Sequence, residues 1–184
     1  MGILDTDAIV LDQVRSFLSN DFGIHDLAGT QIGRIVTEGG MGSRLLMGSR
    51  QLAIVDTDGT LLVRVVDPPN LGLDRFEVQD WQGNVVAQVV KEFTFFKKAL
   101  RIELSTGPQL RLEGSMWDRE FTVTGPGGLA ATASRHWPGV AEAFLGRERY
   151  VLGFTPQVPV PEKLGTIGAV IALDLIRQKE RNNG

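Results

Sequence analysis

Between Phe22 and Arg135 the chain repeats one pattern: a run in which apolar and polar residues alternate, a polar turn containing glycine, and a second alternating run. Alternation at period two puts every second side chain on one face of an extended strand, so each repeat predicts a β-hairpin with one face buried. FGIHDLAGTQIGRIV (residues 22–36), LAIVDTDGTLLVRVV (52–66) and FEVQDWQGNVVAQVV (76–90) place Asp26, Asp56 and Asp80 identically, each three residues before Gly29, Gly59 or Gly83. An Asp side chain accepts hydrogen bonds from nearby turn amides, and glycine takes the positive φ that closes a loop of three or four residues. Looser copies, LRIELSTGPQLRLEG (100–114) and FTVTGPGGLAATASR (121–135), complete five hairpins and ten strands.

Two flanking segments raise the count. ERYVLGF (148–154) reads as a strand, while AIVLDQVRSFL (8–18) is ambiguous: Val10, Val14 and Leu18 recur at helical spacing, and its β-branched content suits a strand equally well. After Pro156, Pro159 and Pro161 comes LGTIGAVIALDLI (164–176), apolar on nearly every side. A helix without a polar face has to be surrounded, and Leu164, Ile167, Val170, Ile171, Leu173, Leu175 and Ile176 are its expected core contacts. At roughly 1.5 Å per residue it falls short of the ~20 apolar residues that a bilayer span requires, and Asp174 argues further against a span. We place the helix at about 162–178 and read 179–184 as a solvated tail.

Twelve strands in one antiparallel sheet tend to close, since closure removes the exposed edges, and a barrel that wide needs more than strand side chains to fill it. The helix is the natural filling, kept slim by Gly165, Gly168, Ala169 and Ala172. The expected fold is therefore mainly β, with one helix: a closed twelve-stranded antiparallel barrel around a central hydrophobic C-terminal helix, as a single domain over 1–184.

The order of hairpins, AIVLDQVRSFL before FGIHDLAG, the pair SRHW and YVLGF, and the closing IGAVIALDLIRQ resemble the phospholipid scramblase-related and LURP-one-related family, both Tubby C-terminal-like domains. The resemblance spans nearly the whole chain, and its motifs are structural ones without a catalytic signature. It implies the same barrel and central helix, and it implies that residues 8–15 form a strand. Tubby domains bind phosphoinositide head groups through basic residues, so it also implies a lipid-binding option. Scramblases proper carry a calcium-binding segment beside the terminal helix, and no such acidic cluster stands around Pro161–Leu164.

Composition narrows the chemistry. With 22 acidic and 19 basic residues the net charge is -3, which gives no general attraction to nucleic acid or anionic lipid, so any such binding needs a local patch. Cysteine is absent, removing thiol nucleophiles, disulfides and Cys-ligated zinc. The two histidines, His25 and His136, leave little for a metal site, and neither belongs to a nucleophile motif such as G-x-S-x-G. No cofactor or metal is expected. Asp56-Thr57-Asp58-Gly59 suggests calcium, yet an EF-hand loop needs glycine at position six and glutamate at twelve, so a hairpin turn is the reading. The start, MGILDTDAIV, has acids where a signal peptide has basic residues. Met1-Gly2 with Thr6 matches only the loose N-myristoylation pattern.

Two stretches remain as binding candidates. KEFTFFKKALR (91–101) sets Lys91, Lys97, Lys98 and Arg101 around Phe93, Phe95 and Phe96, the mixture used at an anionic lipid interface. GGMGSRLLMGSR (39–50) is glycine-rich, with Arg44 and Arg50, but lacks a P-loop ending. The expectation is a non-enzymatic domain, cytoplasmic or peripheral at a membrane, that binds phospholipid or phosphoinositide head groups or a protein partner. A scramblase-like membrane protein is the first alternative and an unrecognised enzyme the second.

Overall fold

The computed structural model describes residues 2–12, 21–38, 50–68, 75–93, 98–115, 120–140 and 149–182. A 3-10 turn at Ile3–Asp5 leads into β1 (Ala8–Asp12). Five hairpins follow: β2 (Asp21–His25) with β3 (Gln31–Glu38), β4 (Arg50–Asp56) with β5 (Leu61–Asp67), β6 (Arg75–Gln79) with β7 (Val85–Phe93), β8 (Lys98–Leu104) with β9 (Gln109–Ser115), and β10 (Glu120–Gly125) with β11 (Gly128–Ser134). Strand β12 (Arg149–Phe154) precedes the helix α1 (Val160–Asn182). Each strand pairs antiparallel with its sequence neighbours, and β1 pairs with both β12 and β2, closing a twelve-stranded barrel. Residues 8–12 are thus a strand: pairing on both sides overrides the helical spacing, whose later positions, Val14 and Leu18, lie outside the described residues.

Alternation sets the inner face. Leu52 and Ile54 on β4, Val63 and Val65 on β5, and Phe76 and Val78 on β6 are all fully buried. Burying each such side chain is worth about 1.5–3 kcal/mol. Against this lining lies α1, where Ile167, Val170, Ile171, Leu173, Leu175 and Ile176 are buried and Leu164 is half-buried against the same core. The helix packs against the wall of β5 to β8: a Cβ at Gly165 would stand 2.7 Å from Leu104 Cδ2, and one at Gly168 would overlap Val78 Cγ2. Its glycines therefore set how near the axis can approach the sheet.

Outside the barrel, Val10 and Val151 form a second small cluster with Ala8, Trp137 and Val140. Trp137 lies so close over Gly153 that any Cβ there would overlap its ring. This contact explains why the SRHW and YVLGF stretches go together.

The helix is longer than expected. It runs from Val160 to Asn182, so most of the segment read as a solvated tail is helical. Arg177 is only 5% exposed, Lys179 Nζ lies 2.8 Å from Asp67 Oδ2, and Lys91 Nζ lies 2.9 Å from Glu180 Oε1. Apolar continuity marks where a helix is enclosed, whereas here ion pairs to β5 and β7 carry it further.

Candidate functional site

The topology gives the barrel two unlike ends. At one, the turn rim, the short hairpin turns gather beside the first residues of β1 and the start of α1. At the other, the exit rim, β3, β5 and β7 finish, β4 and β8 begin, and α1 terminates.

Turn geometry at the first rim follows from the Asp–Gly spacing. Gly29, Gly59 and Gly83 have φ of 87°, 86° and 87°, a region that side chains disfavour. Asp26 Oδ1 accepts from Thr30 N at 2.8 Å, Asp58 Oδ1 from Thr60 N at 2.8 Å, and Asp80 Oδ1 from Gln82 N at 2.8 Å and Asn84 N at 2.9 Å. The Thr60 amide, first among several donors, holds the Asp58 carboxyl below its ordinary value, and the Asn84 side-chain amide does so for Asp80. The DTDG stretch is a hairpin turn, with Asp56 Oδ1 accepting from Thr57 N at 3.0 Å. Among the described residues no three His, Asp or Glu side chains are grouped so as to hold a metal ion.

Lys163, 8% exposed in the first turns of α1, fastens this rim. Its Nζ donates to Thr6 O at 3.1 Å and Leu4 O at 3.3 Å, with Asp7 Oδ1 at 3.8 Å. Because Ile3 is fully buried, the segment before β1 is packed into this end of the barrel and tied to the helix.

The exit rim gathers most of the basic candidates, in differing circumstances. Lys91 on β7 shares the inward face with Ala87 and Val89, and its side chain is 6% exposed against Glu180. Arg101 is turned outward, Nη1 3.4 Å from Glu92 and Nε 3.0 Å from Glu103. Arg111 joins them, 3.5 Å from Glu92 and 2.8 Å from Glu113, so this strip of wall balances two arginines against three glutamates. Lys91 and Arg101, the two ends of the 91–101 run, thus lie on opposite faces of the sheet. Arg50 opens β4 opposite Asp67, and Lys98 opens β8 opposite Phe93. Arg44, Phe95, Phe96 and Lys97 fall outside the described residues.

Sequence reasoning noted Asp174 but missed that it pairs within the helix. Asp174 and Arg177 form a pair at 3.3 Å with side chains 2% and 6% exposed, while Arg177 Nε and Nη2 are buried without a hydrogen-bond partner among the described residues. The i, i+3 spacing of Asp174 and Arg177 was the available signal. A Ser–His–Glu grouping was also missed, at Ser134, His136 and Glu120. It lacks triad geometry: Ser134 Oγ lies 2.9 Å from Glu120 Oε1 instead of meeting the imidazole, and His136 is 81% exposed. The grouping ties β10 to β11 and accepts the His136 amide at 2.9 Å.

The family model described as LURP-one-related matches residues 6–165. The chain belongs to the LURP-one-related family. A crystal structure of a protein from Arabidopsis thaliana has a similar fold, with a TM-score of 0.60 at 18% identity over 92% of this chain and 91% of that one. No curated protein matches the chain. The LURP-one-related match ends at Gly165, so the charged part of α1 that closes the exit rim lies beyond the matched range. No helix of the described residues is long and apolar enough to cross a membrane.

Proposed function

We propose that this LURP-one-related barrel is a non-enzymatic binding domain whose exit rim meets anionic phospholipid head groups. The observation that carries the reading is the concentration of acidic side chains at one end of the barrel. Among the described residues the turn rim holds seven acidic side chains (Asp5, Asp7, Asp26, Asp56, Asp58, Asp80 and Glu162) against two bases, Lys163 and Arg34, the latter lining one cavity with Asp56 and Thr57. Taking those from the chain's 22 acids and 19 bases leaves 15 acids and 17 bases in the rest of the sequence. A molecule so polarised turns its acidic end away from an anionic surface, at about 1 kcal/mol per basic residue brought near that surface.

Lys97 and Lys98 are the cations of choice, with Arg44 and Arg50 after them, because Lys91 and Arg101 are already engaged by carboxylates. Phe95 and Phe96 supply the apolar part of the contact. Flotation with anionic and neutral vesicles tests this. Lys97→Gln with Lys98→Gln should lower binding to anionic vesicles about tenfold, a change of about 1.4 kcal/mol, while the melting temperature stays near wild type. Unchanged binding would remove these lysines from the site, and joint loss of binding and stability would mark them as structural.

A further inference from the structure

We propose that the turn rim is a second docking surface, which takes a cationic segment of a partner protein laid across the tips of the β2–β3, β4–β5 and β6–β7 hairpins. The large hydrophobic side chains exposed among the described residues are Leu27, Trp81, Leu129 and Val160, and all four belong to this end of the barrel. Trp81, at 68% exposure, occupies the same position in its turn as Leu27 and Thr57 do in theirs, directly after the aspartate that fixes the loop. An indole held out on a turn whose aspartate is bonded to two backbone amides is a rigid anchor.

The three tips are consecutive along the rim. Four strand spacings of about 4.8 Å separate the first from the third, so the strip is about 20 Å long, which an extended segment of about six residues spans. Charge decides the occupant. Asp26, Asp56, Asp58 and Asp80 stand along the strip, and the bonds that lower Asp58 and Asp80 keep both ionised. An anionic membrane is repelled there, whereas Lys or Arg side chains gain carboxylates and stack on the Trp81 face. Fixed turns also spare the entropy of ordering the receptor surface.

The test uses a ten-residue lysine peptide carrying one central leucine, titrated at low and high salt and mapped by amide chemical shifts. Shifts confined to residues 26–30, 56–60 and 80–84 are expected. Trp81→Ala should weaken binding about fivefold, and Asp26→Asn, Asp58→Asn and Asp80→Asn together about tenfold or more, with the melting temperature unchanged. Asparagine retains the accepting oxygen, so the turns should survive. Flotation on anionic vesicles should be unaffected by Trp81→Ala, which keeps this surface and the exit rim separable. Shifts spread over the whole acidic surface, or Trp81→Ala binding as tightly as wild type, would overturn the proposal in favour of bulk attraction. Weakened flotation of Trp81→Ala would overturn it in favour of a lipid contact.

Discussion

Gly168 shows how a single atom sets the relation between helix and barrel. Alanine there should raise helix propensity by up to about 1 kcal/mol, yet its methyl would overlap Val78 Cγ2 on β6. The packing term dominates, and Gly168→Ala should lose about 1–3 kcal/mol in chemical denaturation. Adding Val78→Ala should make the two changes non-additive, because it clears the space that the methyl needs. Additive losses would mean that Gly168 does not govern this approach. At this scale the turn aspartates were legible, because the Asp–Gly offset is itself a hydrogen-bonding pattern. The fates of Lys91 and Arg101 were not. Ten residues of sequence place the two cations together, but the register Lys91↔Leu100 and Val90↔Arg101 assigns them to opposite faces, and register depends on which strand pairs with which.

Helix α1 shows the same limit at the scale of an element. Its apolar part was readable, since nothing but enclosure accommodates such a run. Its last turns were not, because an apolar criterion stops at Ile176 while Lys179 and Glu180 are held by Asp67 and Lys91 from distant strands. If residues 179–184 were a solvated tail, deleting them would leave stability unchanged. We expect a loss of about 1–3 kcal/mol, because the deletion removes two charge-assisted bonds that are half-buried on the helix side and reach Asp67 and Lys91 on the barrel wall. Thermal denaturation of the deleted and full chains decides between the two. The buried Asp174–Arg177 pair belongs to the same element. Replacing both residues together by Leu and Met should cost less than Arg177→Met alone, which removes a cation 3.3 Å from the buried Asp174 carboxylate.

At the scale of the whole molecule, five repeated hairpins, two flanking strands and one enclosed helix imply a closed barrel before any coordinate is known. Polarity was harder to see, because acids and bases alternate through the sequence and separate only when antiparallel strands bring every short turn to one end. The acidic turn rim makes orientation the test of the proposed function: an exit rim that meets an anionic surface requires the turn rim to face away. The absence of cysteine makes it directly measurable. Single cysteines can be placed by Ser115→Cys at the end of β9, on the exit rim, and by Thr57→Cys in the β4–β5 turn, both exposed positions, and each labelled with an environment-sensitive fluorophore. With anionic vesicles carrying a lipid-borne quencher, the label at 115 should be quenched in a salt-dependent way and the label at 57 should stay as bright as in buffer. Quenching at 57 with none at 115 would contradict the account.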